Sequence, residues 1–299
     1  MNCKTKIMLM HSTDKNTAFS QIRTLSFQSK EIQFDRPLVM GILNLTPDSF
    51  YDGGKYLGLQ EIVSQTEKMI RDGAAIIDIG AMTTKPKSEF VSEDIELERL
   101  IPIIRMLTKS FPEMAFSADT FRASVAKACI EEGIMMINDI SGGTFDDAMP
   151  ALIGHYNIPY VMMHIYETPA TMQNNPLGNE AERLVHEFFQ KQIEVFSHQG
   201  ATQIILDPGF GFGKNMDGNF MLLDKLSNLK KFGFPILAGL SRKSMICRLL
   251  EIKPPEALNG TTVLNTIALL NGASILRVHD VKEAMETITL VNQLLASRM

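Results

Sequence analysis

The residues of this 299-residue chain that could do chemistry recur at one point in its pattern, directly after short apolar runs. Asn44, Asp119, Asn138, His164 and Asp207 each end such a run. Gly80 ends another, followed by Thr83 and Thr84. Gly239 with Ser241, Arg242 and Lys243, and Arg277 with His279, complete the set. Asn, Asp and Gly are ordinary turn residues, which accounts for some of these positions. It accounts poorly for Asp119, Asp207, Lys243, Arg277 and His279 together, and convergent polar groups predict one small-molecule pocket. The groups divide by charge. Arg277, His279 and the Ser241-Arg242-Lys243 run, at a predicted helix start, suit a phosphate. Asp119 and Asp207 accept hydrogen bonds only when ionised, whereas Asn138 both donates and accepts. A carboxylate set deep in a mouth is costly without a donor, so the centre suits a flat nitrogen heterocycle with adjacent N–H groups.

The elements that must position these groups alternate from Pro37 onward. The apolar runs are Leu38–Leu43, Ala75–Ile79, Met114–Ala118, Ile134–Ile137, Pro159–Met163, Gln203–Leu206, Pro235–Ala238 and Ser274–Val278. Amphipathic stretches separate them, one with Leu97, Leu100, Ile101, Ile104 and Leu107 on a single helical face. Gly73, Gly133, Gly200 and Gly233 stand where a helix must stop before the next strand. Strands that are apolar throughout predict a parallel sheet buried on both faces. Eight of them predict an α/β fold, a (β/α)8 TIM barrel over residues 37–299, with its site where the strands end. The alternative, an open doubly wound sheet, lacks its Gly-rich first turn here. Residues 1–36 read as an N-terminal β extension, with a short hairpin within Phe19–Phe34 covering the barrel bottom. Lys253-Pro254-Pro255 splits the segment between the last two strands into two helices.

Composition narrows the class. With 45% hydrophobic and 21% charged residues the chain is neither low-complexity nor largely disordered. A net charge of −5 gives no basic surplus for a nucleic-acid backbone. No apolar run is long enough to span a membrane, and the start lacks a secretory core. Cys3, Cys129 and Cys247 show no metal spacing and fit a reducing compartment, so a cytoplasmic protein is expected. The run Asp207–Asn215 is Gly-rich and contains Gly-Lys, but Pro208 and Asn215 stand where a P-loop needs Gly and Ser or Thr. Its glycines let backbone approach a ligand closely, and Phe210 or Phe212 could face either ligand or core. His11, His155, His186 and His198 fall outside the strand ends and are expected to face solvent. The acidic residues Glu93, Asp94, Glu96 and Glu98 after Ser92 read as a capped helix start.

Taken in order, these motifs resemble the dihydropteroate synthase family of pterin-binding barrels. They are Met40-Gly41-Ile42-Leu43-Asn44-Leu45-Thr46-Pro47-Asp48-Ser49-Phe50, Asp78-Ile79-Gly80, Ser117-Ala118-Asp119-Thr120 and Ile137-Asn138-Asp139 through Gly143. Met163-His164, Asp207 through Lys214, Gly239 through Ser244 and Arg277-Val278-His279-Asp280 follow. The resemblance implies condensation of 6-hydroxymethyl-7,8-dihydropterin diphosphate with p-aminobenzoate to give 7,8-dihydropteroate and pyrophosphate. It implies that Asp119, Asn138, Asp207 and Lys243 hold the pterin beside Phe212 and Gly239. Asn44, Arg277 and His279 would take the diphosphate, Asn44 through Mg²⁺. Thr84, Pro86, Phe50, Phe212 and Ser244 would shape the p-aminobenzoate site. Asp119, Lys243, Arg277 and His279 would be the catalytic set, in a homodimer whose partners are small molecules. Loops Asn44–Lys55 and Gly80–Phe90 would close over the second substrate.

One loop departs from the family. Most members read Gly-Gly-Glu-Ser-Thr-Arg-Pro-Gly where this chain has Gly80-Ala81-Met82-Thr83-Thr84-Lys85-Pro86-Lys87. Lys85 lacks the planar fork of arginine, and Lys87 lacks glycine's backbone latitude. An active synthase with altered affinity for p-aminobenzoate and its sulfonamide mimics is expected. The alternatives are a methyltetrahydrofolate–corrinoid methyltransferase-like barrel and a non-catalytic pterin-binding protein.

Overall fold

Each predicted apolar run becomes a strand, displaced by no more than two residues at either end, in a computed structural model. It describes Ile22 and residues 24–45, 55–82 and 90–298, the side chains of 55–57 excepted. The strands are β3 (Leu38–Asn44), β4 (Ile76–Gly80), β5 (Ala115–Asp119), β6 (Met136–Asp139), β7 (Tyr160–Met163), β8 (Ile204–Asp207), β9 (Leu237–Ala238) and β10 (Ile275–Val278). They pair in parallel, with β10 beside both β3 and β9. A parallel bridge between Leu206 and Ile236 joins the outer strands, which closes the eight into a barrel. The helices are α1 (Lys55–Arg71), α2 (Glu93–Ser110), α3 (Ala123–Glu131), α4 (Met149–Tyr156), α5 (Ala181–His198) and α6 (Met216–Asp224). Then come α7 (Ser244–Leu250), α8 (Leu258–Leu270) and α9 (Val281–Ala296), with α7 and α8 split by a short 3-10 turn at Pro254–Glu256 as Pro254-Pro255 requires. Gly133 and Gly200 end α3 and α5 at φ 91° and 93°, a region that only glycine enters freely.

The pleat explains how these strands deliver a site. Alternate residues face the helices: Ile77, Ile79, Phe116, Ala118, Ile137, Leu206, Leu276 and Val278 belong to the outer apolar cluster. The residues between them face inward. Met40, Ile76, Ala115, Met136, Val161, Ile205, Leu237 and Ile275 fill the lower barrel as a second cluster. Two positions further along each strand, the same face carries Ile42, Asp78, Ser117, Asn138, Met163, Asp207, Gly239 and Arg277. The next two steps reach Asn44, Gly80, Asp119 and His279. The polar mouth is thus the apolar floor continued upward by period two.

Before the barrel, β1 (Thr24–Phe27) and β2 (Lys30–Gln33) form an antiparallel hairpin. Its Leu25 and Ile32, with Phe34, join the lower cluster and cover the floor. Gln203, just ahead of β8, ties it down by exchanging bonds with the Ser26 N–H and carbonyl at 2.7 and 2.8 Å. The two loops expected to close over substrate lie outside the described residues from 46 to 54 and from 83 to 89.

Candidate active site at the strand ends

Four of the inward groups form one network. Arg277 donates from Nε to Asp78 Oδ2 at 2.8 Å and from Nη2 to Asp119 Oδ2 at 3.0 Å. Asn138 donates from Nδ2 to the same Asp78 oxygen at 2.8 Å. This bond turns the Asn138 carbonyl away from Asp78, leaving it as an acceptor. Asp78 is wholly buried, and its Oδ1 has no hydrogen-bond partner among the described residues. Asp78 is not among the site residues expected from the sequence. Its signal was there, since an acid inside the otherwise apolar run Ile76–Gly80 needs a buried cation, and Arg277 stands in just such a run two strands away.

On the opposite wall, the Gly209 N–H donates to Asp207 Oδ1 at 2.7 Å, and Lys243 Nζ lies 4.1 Å above the Phe212 ring. Asp119, Asn138, Asp207, Phe212, Gly239, Lys243 and Arg277 together line one narrow pocket. The structure therefore brings every residue proposed for the pterin to one cavity. Phe210 and Phe212 both border the pocket, the first buried and continuous with the core, the second half-buried.

Burial sets the charges. It pushes Asp119 up to about 7, aided by Asp78 and opposed by Arg277. It raises Asp207 as well, against the Gly209 N–H and the Lys243 charge. Lys243 falls to about 8 by desolvation, with Asp207 resisting. Burial also works against the Arg277 charge, but Asp78 and Asp119 outweigh it and hold the guanidinium ionised. His279 departs from its expected role as a cation. Burial, then Arg242 and Arg277, depress it to about 4, so its imidazole is neutral at pH 7. Ser241 Oγ lies 3.0 Å from its Nδ1. Arg242 turns aside to grip Asp280 at 2.6 and 3.1 Å. Two cations, Lys243 and Arg277, carry the corner.

The Asp207–Lys214 run is held from below, not shaped around a phosphate. Lys214 is buried, and its ammonium donates to the carbonyls of His164, Gly209 and Phe212 at 2.9, 2.8 and 3.0 Å. Gly209, at φ +68°, lets the run cross the end of β7, because a Cβ there would sit 2.0 Å from the His164 carbonyl oxygen. The His164 ring packs edge-on against Phe188, and desolvation holds it neutral. Its contribution to the site is backbone. His186, expected in solvent, is instead tucked against Phe232 with 13% of its side chain exposed.

Asn44 is exposed at the mouth. A Cβ on Gly80 would lie 3.5 Å from Asn44 Oδ1 and 3.6 Å from Asp119 Oδ2, so these two oxygens flank one glycine. Among the described residues no cluster of three or more His, Cys, Asp or Glu could hold a metal ion. A Mg²⁺ keeping most of its ligands from phosphate and water needs only one or two such protein oxygens. The donor set fits an ion delivered with a diphosphate. Ser244, exposed, opens α7 directly after Lys243. Phe50, Thr84 and Pro86 lie outside the described residues.

Comparison with known proteins agrees with this geometry. The family described as pterin binding enzyme matches residues 40–279. The dihydropteroate synthase of Synechocystis sp. is 44% identical over 256 residues, covering 85% of this chain and 88% of that protein. The Escherichia coli dihydropteroate synthase is 39% identical over 273 residues, covering 91% and 96%. Among solved structures, Yersinia pestis dihydropteroate synthase in a sulfonamide drug complex superposes with TM-score 0.85 at 37% identity, covering 91% of this chain and 99% of that one. Xanthomonas albilineans dihydropteroate synthase with 4-aminobenzoic acid gives TM-score 0.84 at 33% identity, covering 92% and 98%.

Proposed function

This chain belongs to the family of pterin-binding enzymes, among its dihydropteroate synthases, and from that membership we propose how its own residues perform the condensation. It is a transferase of folate biosynthesis that joins 6-hydroxymethyl-7,8-dihydropterin diphosphate to p-aminobenzoate and releases pyrophosphate. The observation that carries the assignment of roles is the single pocket in which three acceptors, Asp119, Asn138 and Asp207, face one ammonium, Lys243. Asp207 takes the adjacent amino and ring N–H donors of the pterin, and Lys243 donates to its carbonyl oxygen. Ionised Asp119 accepts a hydrogen bond from a ring N–H of the pterin and, lying beside the exocyclic methylene, steadies the positive charge that grows there as the C–O bond breaks. Phe212 stacks on the ring system.

Arg277 and His279 receive the departing diphosphate. Arg277 is anchored through Nε and Nη2, and its Nη1 has no partner among the described residues. His279 acts as a neutral donor. Asn44 would hold Mg²⁺, which, when bound, supplies charge neutralisation on the leaving oxygens. The aniline nitrogen then attacks the methylene carbon, and its proton leaves to water or to pyrophosphate, so no protein base is needed. Phe212, Ser244 and the carried-over Phe50, Thr84 and Pro86 form the p-aminobenzoate side. A sulfonamide, the class of drug in the Yersinia pestis complex, would compete on the same side.

Asp207→Asn tests the pterin assignment. It removes a charged acceptor of two N–H donors, so pterin diphosphate affinity measured by calorimetry drops roughly 10- to 150-fold. Unchanged affinity would place the pterin elsewhere.

A homodimer is supported by the apolar side chains exposed on α7, α8 and α9, among them Leu249, Val263 and Leu290 at 60%, 51% and 72%. These helices are neighbours: a Cβ on Gly260 of α8 would strike Ile246 of α7, and α8 packs against α9. A cytoplasmic setting is supported by Cys129 and Cys247, both free among the described residues. No helix among the described residues is long and apolar enough to cross a membrane. Residues 37–299 form one catalytic domain in this reading, with residues 1–36 as its extension.

A further inference from the structure

The segment between β4 and α2 leaves the described structure at Met82 and returns at Phe90, and both of its ends meet one side chain. Arg122, the residue ahead of α3, donates from Nη2 to the Val91 carbonyl at 2.7 Å, and its Nη1 lies 3.5 Å from Met82 Sδ. Nη1 also pairs with Glu96, in the first turn of α2. The guanidinium carbon sits 4.7 Å over the Phe121 ring, which in turn packs on Phe90 at 4.5 Å between centroids. Arg99 closes the same corner by donating to the Ala81 carbonyl at 3.1 Å.

Glu96 stands in the first turn of α2, as the capped helix start predicts, and it is completely buried there. A buried ion pair is by itself weak evidence for stability, because desolvation offsets the Coulombic gain. This pair is placed where it can do something else. It lies outside the apolar barrel wall, at the attachment points of residues 83–89, and three residues from Asp119. The Arg122 N–H bonds Thr120 Oγ1 at 3.2 Å, which ties the corner to the end of β5. Only a planar fork can serve Glu96 and the Val91 carbonyl at once while lying flat on a ring.

We propose that Arg122, with Glu96 as its buried counter-ion, is a positioning residue for the second substrate: it fixes both ends of the segment through which the enzyme engages p-aminobenzoate. The proposal rests on the p-aminobenzoate role given to that segment above.

The test compares Arg122→Met, Arg122→Lys and the double variant Glu96→Leu/Arg122→Met with wild type. KM for p-aminobenzoate, affinity for pterin diphosphate, thermal stability and amide hydrogen exchange are measured on each. Arg122→Met raises KM for p-aminobenzoate by about 10-fold or more, as a misplaced contact segment does, with pterin diphosphate affinity held within about 2-fold. Exchange quickens in peptides covering residues 80–92 and stays unchanged in 207–215. Arg122→Lys falls between Met and wild type. The double variant, with no orphaned charge, regains stability but keeps the raised KM. Recovery of KM together with stability would reduce the pair to a structural ion pair and overturn the proposal, as would unaltered exchange in residues 80–92. A wild-type protein that forms no dihydropteroate would instead refute the functional reading, and the exchange comparison would still decide the clamp.

Discussion

Arg277 stands between two carboxylates, and its position decides which protonation states the pocket offers. Asp78 keeps the guanidinium in place and orients Asn138, while Asp119 shares its other edge. Asp119 must be ionised to accept a pterin N–H, yet burial lifts it to about 7. Affinity therefore rises as pH climbs through that value. Lys243 must be protonated to donate, and desolvation lowers it to about 8, so affinity falls as pH climbs further. Pterin diphosphate binding follows a bell with its maximum between these two limbs, which belong to the interacting groups as a set. Lys243→Met lowers affinity and abolishes the alkaline limb, whereas a flat profile from pH 6 to 9 in wild type would contradict this account. His279 adds nothing to the profile in that range, because its proton is already lost near pH 4. The same burial that sets these values is why they were not legible beforehand. Sequence spacing placed His279 at the corner but could not show the desolvation and the two neighbouring arginines that discharge it.

At the scale of the element, alternation along each strand is the device that builds the site. Because Ile205 fills the floor, Asp207 must point up the same inner face, and the same holds for Ile275 with Arg277. That logic was readable from the apolar runs, which is why the strands and most of their terminal groups were found. Asp78 lay one step from discovery by the same pleat, since it shares the face of Ile76. What resisted reading was long-range. The Lys214 ammonium closes three carbonyls across two loops, and Glu96 is drawn inward by Arg122, 26 positions away. No local pattern encodes either partnership. The loop after β4 is the element in which this chain departs from its family, at Met82, Lys85 and Lys87. If those residues retune the second-substrate side, Lys85→Arg/Lys87→Gly shifts both KM for p-aminobenzoate and the inhibition constant of a sulfonamide. Pterin affinity stays constant. Identical constants before and after the exchange would remove the loop from the account.

For the whole molecule, the two ends of the barrel have opposite tasks. The hairpin of β1 and β2 seals the floor with Leu25 and Ile32, and the other end stays polar and open to ligand. The chain's net charge of −5 does not repel an anionic substrate from this mouth, because the Lys243 and Arg277 cations are gathered there. The apolar side chains on α7, α8 and α9 form the remaining distinctive surface. For the proposed homodimer through these helices, lysines in place of Val263 and Leu290 give a monomer in sedimentation equilibrium without loss of helical signal. A wild-type protein that already sediments as a monomer would exclude that interface. The central claim, that this barrel condenses a pterin diphosphate with an arylamine, is tested most directly by one incubation. Purified protein is mixed with 6-hydroxymethyl-7,8-dihydropterin diphosphate, p-aminobenzoate and Mg²⁺, and both products are followed. The account predicts 7,8-dihydropteroate and pyrophosphate appearing together in equal amounts. Tight binding of the pterin diphosphate with neither product formed would contradict it.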